Sequence, residues 1–293
     1  MLKVENVSVM LDKNKIVDNV SISLHKGEVV GLVGPNGVGK TTLIKTIVGI
    51  YEVETGNVIL DGQPVYNNPT SKLKIAYVSD ENGYYHNFTI NDIMKYYKYA
   101  YDNFDIDKFN KLNEVFKIPT SKKISQLSKG MKMRVSLLMA FSIDSEYIVL
   151  DEPTSGLDPL LKRNLLQIIK EEAKNKGIII SSHHLGDLEK ICTEVIIISD
   201  GRVKCHNSLQ EIQNKIKKIQ VAFDEPVYEE DLNFKGIYSI SKVGRVFTII
   251  TDQYCPQFID KLNELKPLFI EEIELSLEDY YISRVGENDE EVI

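Results

Sequence analysis

The sequence predicts an α/β fold: a mostly parallel core sheet with helices, an antiparallel β edge sheet, a helical insertion, and a small C-terminal α/β domain. Three observations carry this reading. Short, largely apolar runs recur at Glu28–Val33, Lys74–Ser79, Tyr147–Glu152 and Ile178–Ser182, with helix-like segments between them. That is the pattern of buried parallel strands joined by crossover helices. Before them, Lys3–Val9 and Val20–Leu24 alternate polar and apolar residues around the polar turn Asp12–Lys15, as strands with one wet face do. Composition then changes twice, over residues 80–142 and beyond residue 210.

In chain order, the first strand of the core runs into Gly34-Pro35-Asn36-Gly37-Val38-Gly39-Lys40-Thr41-Thr42, and Thr42–Val48 follows with the start of a helix. The strand–loop–helix context is that of a phosphate-binding loop. Glycines let successive amides turn inward as an anion cradle, and the helix N-terminus adds partial positive charge. Lys40 is placed to reach β- and γ-phosphates, and the Thr41 hydroxyl to ligate Mg²⁺. The core is therefore expected to be that of a P-loop NTPase. Gly49 ends the first helix, and Gly56–Gly62 reads as a strand closing in a turn. Gly83–Phe88 is aromatic and loop-like, Thr89 is a helix cap, and Ile90–Tyr101 and Asp105–Phe116 read as helices, the second stopping near Pro119. Ser128 is a cap before the apolar helix Val135–Ile143.

Tyr147–Leu150 is followed by two acids, Asp151 and Glu152, at the end of a strand where open α/β sheets place ligands. Asp151 suits Mg²⁺, directly or through water, and Glu152 suits a general base. Leu160–Lys176 reads as a helix ended by Gly177, and His183 lies just past the next strand. Val195–Ile198 and Arg202–Lys204 flank the Asp200–Gly201 turn. The boundary is expected at 216, giving a nucleotide-binding domain over 1–216 and an accessory α/β domain over 217–293. Within the latter, Ile219–Phe223, Ser239–Val243, Val246–Thr251 and Leu268–Leu275 read as strands and Pro256–Leu265 and Ser276–Val285 as helices. The acidic tail Glu287–Ile293 is expected to be disordered.

The whole chain narrows the options. At 293 residues, 43% hydrophobic and 27% charged, it has the composition of a globular protein with a sizeable core. A net charge of −8 argues against a general nucleic-acid surface. No apolar run approaches the roughly 18 residues of a membrane span. Cys192, Cys205 and Cys255 are scattered, with no metal-binding spacing, and read as reduced thiols.

With Leu127-Ser128-Lys129-Gly130-Met131 added, the chain resembles the ATP-binding subunit of an ATP-binding cassette (ABC) transporter over about residues 1–210. The phosphate loop, this LSKGM signature and the acid-ending strand stand in the family's order. Pro153–Asp158 resembles its D-loop, and His183 its switch histidine. The resemblance implies a head-to-tail dimer around two ATP. Each nucleotide would lie between Lys40, Thr41 and Asp151 of one subunit and Ser128 and Gly130 of the other. Glu152 would be the base, His183 would align the water on the γ-phosphate, and Asp158 would contact the partner's site. It also implies a cytoplasmic protein, peripheral on the cytoplasmic face of the membrane through a separate transmembrane permease, with Gly83–Met94 as the docking stretch. The signature and the small C-terminal domain resemble two-component bacterial exporters of drugs, antibiotic peptides or lipids.

Two positions depart from the family pattern. Asp80 stands where a glutamine normally meets Mg²⁺ and water, and is taken as a metal ligand that weakens coupling to the helical insertion. Met10 and Leu11 stand where an aromatic normally stacks on adenine, so base selectivity should loosen. The competing readings are a soluble ABC ATPase acting on nucleic acid or ribosomes, and a regulatory cassette. The single cassette, the absence of long coiled-coil insertions and the acidic charge speak against the first. The presence of Lys40, Asp151, Glu152 and His183 speaks against the second.

Overall fold

A computed structural model describes residues 1–80, 83–84, 86–232 and 234–285. The tail at 287–293 and Tyr85 of the aromatic stretch lie outside the described residues. The chain divides into two units, Met1–His206 and Asn207–Ile293.

In the first unit, β1 (Leu2–Leu11) and β2 (Asn14–Leu24) form a hairpin, followed by β3 (Val29–Val33) and helix α1 (Lys40–Ile47). Then come β4 (Thr55–Leu60), the short β5 (Gln63–Pro64), the one-turn α2 (Pro69–Lys72) and β6 (Ile75–Val78). The edge sheet has the order β2-β1-β4-β5, with antiparallel pairing throughout. Register shifts between Val4 and Val7, beside the left-handed Asn6, keep Leu2, Val4, Val7 and Val9 on the buried face. That face packs with Leu43, Ile44 and Ile47 of α1 and with Val30 and Leu32 of β3.

The insertion supplies α3 (Ile90–Ala100), α4 (Ile106–Phe116) and α5 (Lys129–Phe141). Thr89 caps α3 in a reciprocal box with Asp92, and Asp105 Oδ1 accepts from Lys108 N–H at 2.9 Å to cap α4. Helix α4 stops at Phe116, before Pro119, because Lys117 turns left-handed and Asn113 bonds both backbone groups of Ile118. Helix α5 begins six residues before the apolar stretch at Val135. Its polar first turn is helical because Ser128 Oγ accepts from Met131 N–H; apolar periodicity marks only the buried part of a helix.

After α5 come β7 (Tyr147–Asp151), α6 (Pro159–Ala173), β8 (Gly177–Ser181), α7 (Leu185–Ile191), β9 (Glu194–Ser199) and β10 (Arg202–Ser208). Helix α6 ends at Ala173 rather than Lys176; the following amides fold back on Glu171 and Glu172, and Lys176 Nζ lies 3.0 Å from the Glu172 carboxylate. Helix α7 shows no periodicity in the sequence, because its seven residues bury only Leu188 and Ile191 among large apolar side chains. The core sheet runs β10-β9-β3-β8-β7-β6, and β9-β3-β8-β7-β6 pair in parallel. All residues of β3, β7 and β8 are buried.

The second unit contains α8 (Leu209–Lys215), β11 (Lys217–Phe223), β12 (Ile237–Val243), β13 (Val246–Thr251), α9 (Pro256–Glu264), β14 (Pro267–Ile273) and α10 (Leu277–Val285). Its sheet, β12-β13-β11-β14, is antiparallel, and Ile219, Val221, Phe223, Phe247 and Ile249 pack on Phe258 and Leu262 of α9. This unit starts earlier than 217. The cap-and-helix segment α8 belongs to it, and Asn207 Nδ2 donates to the buried Tyr280 hydroxyl at 2.8 Å. Ile249→Ala should leave a cavity in this core and destabilise the unit by about 2–5 kcal/mol, measured by urea denaturation of the full chain.

Candidate functional site

Parallel pairing sets Asp151 of β7 level with Ser181 of β8, and Ser181 level with Leu32 of β3. The polar groups that end these strands therefore emerge at one edge, the carboxyl ends of the strands. From β3 the chain passes through the glycine-rich loop into α1. Gly39 has φ +104°, and a Cβ there would lie 2.7 Å from the Ile16 carbonyl oxygen, so only glycine lets the loop pass β2. Lys40 folds back over the loop, its Nζ donating to Gly34 O at 2.6 Å and Pro35 O at 2.8 Å. Burial pushes its ammonium below the ordinary lysine range, while the charges of Glu152 and Asp151 pull it back up.

Ser181 ties the two acids together. Its hydroxyl donates to Asp151 Oδ1 at 2.6 Å and accepts from Glu152 N–H at 2.9 Å. Asp151 is 1% exposed, and its Oδ2 is buried without a hydrogen-bond partner. Glu152 has φ +47°, a left-handed backbone that costs a non-glycine residue energy and turns its side chain out of the strand direction. Its Oε2 lies 2.8 Å from His183 Nδ1. The neighbouring His184 has its pKa lowered, first by burial, and its ring centroid lies 4.0 Å from that of His183.

A cavity of about 240 Å³ is lined by Asn36, Gly37, Gly39, Lys40, Thr41, Thr42, Asp80, Asp151 and Glu152, together with Ile16. The loop residues, both acids and Asp80 thus meet in one place. Val38 instead packs on the hydrophobic core, and Gly34 and Pro35 contribute the carbonyls that hold Lys40. Ile16 was not picked out in the sequence, where it is one more apolar residue of an irregular strand. The residues singled out for adenine, Met10 and Leu11, do not line the cavity, and Leu11 packs against the core.

Ser128, Gly130, Asp158 and His183 do not line it either. Ser128 caps α5. Gly130 sits against the D-loop so closely that a Cβ would lie 2.3 Å from Gly156 O. Asp158 Oδ1 caps α6, accepting from Leu160 N–H at 3.1 Å and Leu161 N–H at 3.0 Å. Asp80 pairs with Lys129 Nζ at 3.0 Å.

The donor set fits a hard divalent cation. The unpartnered Asp151 Oδ2, with Thr41 and Asp80 on the same cavity, offers oxygen ligands. Among the described residues no cluster of three His, Cys, Asp or Glu forms a cage. Mg²⁺ requires none, since one or two carboxylates plus substrate phosphates suffice.

Residues 17–155 match the sequence model of the family described as ABC transporter. The ABC transporter ATP-binding protein YtrB of Bacillus subtilis (strain 168) is 31% identical over 288 residues, covering 98% of this chain and 98% of the relative. The chain belongs to the ATP-binding proteins of ABC transporters. It is an ATP-binding subunit and an ATPase of that family. The bacitracin transport ATP-binding protein BcrA of Bacillus licheniformis is 27% identical over 302 residues, covering 98% of this chain and 97% of that one. A solved ATP-binding subunit of an ABC transporter superposes with TM-score 0.69 at 30% identity, over 73% of this chain and 92% of that one. The dimeric cassette MJ0796, in a post-hydrolysis state bound to ADP and Pi, gives TM-score 0.64 at 20% identity, over 71% of this chain and 99% of that one; it shares the fold. Among the described residues of this ABC subunit, no helix is long and apolar enough to cross a membrane.

Ser181→Ala should leave Asp151 Oδ1 and Glu152 N–H without their shared partner. The expected loss is about 1–3 kcal/mol of stability together with reduced ATP turnover, read by thermal melting and phosphate release.

Proposed function

We propose that this subunit hydrolyses ATP as a head-to-tail dimer and drives a separate transmembrane permease that exports a drug, an antibiotic peptide or a lipid. The observation that carries the dimer is the split of the site: the phosphate loop, Asp151 and Glu152 share one cavity, whereas Ser128 and Gly130 lie outside it at a capped helix N-terminus. A second copy placed head to tail supplies the missing wall, with ATP between two helix N-termini. Likeness to the bacitracin transport protein supports export. The protein is cytoplasmic and reaches the membrane through its partner. The Gly83–Met94 stretch, where Phe88 is 40% exposed, docks on that partner. Nucleic acid is not a partner.

In this reading Gly34–Thr42 wraps the phosphates, Lys40 turning from the loop carbonyls to the β- and γ-oxygens. Thr41, Asp151 and Asp80 hold Mg²⁺, which supplies neutralising charge for those oxygens when bound. Glu152, displaced from the strand line by its left-handed backbone, accepts the proton of the attacking water. His183, now on Glu152, moves to the γ-phosphate. Asp158 touches the partner's site while capping its own helix. Ile16 gives the base an aliphatic face in place of an aromatic one.

Two experiments test this. Glu152→Gln with ATP and Mg²⁺ should run as a dimer in size-exclusion chromatography, and Lys40→Ala or Ser128→Arg should abolish the shift. A monomer that still binds ATP would sink the sandwich. Ile16→Phe should tighten ATP binding about two- to tenfold and raise preference over GTP, measured by titration with both nucleotides; equal affinities would remove the base from this wall.

A further inference from the structure

The second unit carries a cavity of about 400 Å³ that its core does not fill. Helix α8 supplies Ile212 and Lys215 to the wall, Tyr254 follows β13, and Tyr238 of β12 with Tyr280 and Arg284 of α10 complete it. Tyr280 and Arg284 stand four residues apart, on one face of their helix. The Arg284 guanidinium carbon lies 4.3 Å from the centre of the Tyr238 ring and 5.4 Å from that of Tyr280. Its Nη2 donates to the Tyr238 hydroxyl at 3.2 Å, and Tyr238 in turn donates to Asp252 Oδ2. Two rings and a hydroxyl thus hold a planar cation in place without neutralising it.

The other charges of this wall are already paired. Asp252 accepts from Tyr238 and Gln253, Glu211 accepts from Ser208 N–H at 3.3 Å in the cap of α8, and Lys217 lies 2.8 Å from Glu272. Among the described residues neither Arg284 nor Lys215 has a carboxylate within ion-pair distance. A solvated lysine alone is commonplace. A guanidinium fixed by two tyrosines, on one wall with a second unpaired cation and the buried Ile212 and Ile216, is a receptor for an anion with an apolar body.

We propose that this cavity binds a small aromatic oxyanion, a planar ring bearing a phosphate or a carboxylate. Arg284 takes two oxygens of the head group through its fork, and Lys215 adds a point charge. Tyr238, Tyr254 and Tyr280 make the wall rich in ring surface, which a planar body covers best. The volume falls within the range of small-molecule sites, about 300–1,000 Å³. The site shares no residue with the nucleotide cavity. Its ligand joins α8, α10 and the segment after β13, three regions distant in sequence.

The test is calorimetric titration of the full chain with phenyl phosphate, benzoate, inorganic phosphate and benzyl alcohol. Phenyl phosphate or benzoate should bind with a Kd below about 1 mM, the scale for a probe of about ten heavy atoms. Lys215→Gln and Arg284→Gln should each weaken that binding about tenfold, the scale of one charge-assisted hydrogen bond. Arg284→Lys keeps the charge but not the fork and should bind as poorly as Arg284→Gln. Lys40→Ala should change nothing. Whichever aromatic probe binds tighter names the head group, and either order supports the site. Inorganic phosphate binding as tightly as phenyl phosphate overturns the aromatic body, and benzyl alcohol binding as tightly as the anions overturns the charge. Heat that disappears with Lys40→Ala puts the anion in the phosphate loop and overturns the proposal, as does a lack of binding by both aromatic probes. Isoleucine-methyl NMR of the unsubstituted chain reads the site without altering it. The signals of Ile212 and Ile216, assigned with Ile212→Val and Ile216→Val, should move on adding phenyl phosphate or benzoate; signals that stay fixed with both overturn the site.

Discussion

Parallel pairing of three fully buried strands governs the rest of the structure. Apart from the Tyr147 hydroxyl at the amino end of β7, the strands β3, β7 and β8 present no polar side chain until their carboxyl ends, and the chemistry collects there: the loop after Val33, the carboxylate of Asp151 and the hydroxyl of Ser181. Register then brings the Asp151 and Ser181 backbones level, so one hydroxyl orients an acid through its side chain and the next acid through its amide. Hydrogen bonding here completes a geometry that burial has already set.

Charge is arranged around that edge with unequal strictness. Lys40 is buried and satisfied by two carbonyls of its own loop, so the cradle holds its cation before any phosphate arrives. Lys129 is exposed and lies 3.0 Å from the Asp80 carboxylate, across a long stretch of sequence. The first is an organised part of the cavity; the second is an exposed ion pair beside it.

Much of this was legible in the sequence. The apolar runs ended where the acids appear, the glycine-rich loop sat between strand and helix, and Thr89, Asp105 and Ser128 marked helix starts. Caps and buried strands are local, so a linear reading reaches them. What it missed depended on distance or on shortness. Ile16 is on the cavity wall because a register-shifted hairpin passes over the loop, which no pattern of alternation announces. Helix α7 is too brief to display a period. The earlier start of the second unit follows from Asn207 bonding Tyr280, a contact between its two ends. The pairing of Asp80 with Lys129 joins the end of a core strand to an inserted helix. Asp158 was read for a partner's site, and its carboxylate also has a structural task at the start of α6.

The left-handed backbone at Glu152 sets an opposition between durability and chemistry. Glycine or asparagine adopts that conformation at lower cost, so either replacement relaxes the turn while removing the acid. Under the base role proposed for Glu152, a population of variants sorted by heat resistance alone would drift toward a firmer, silent protein at this position.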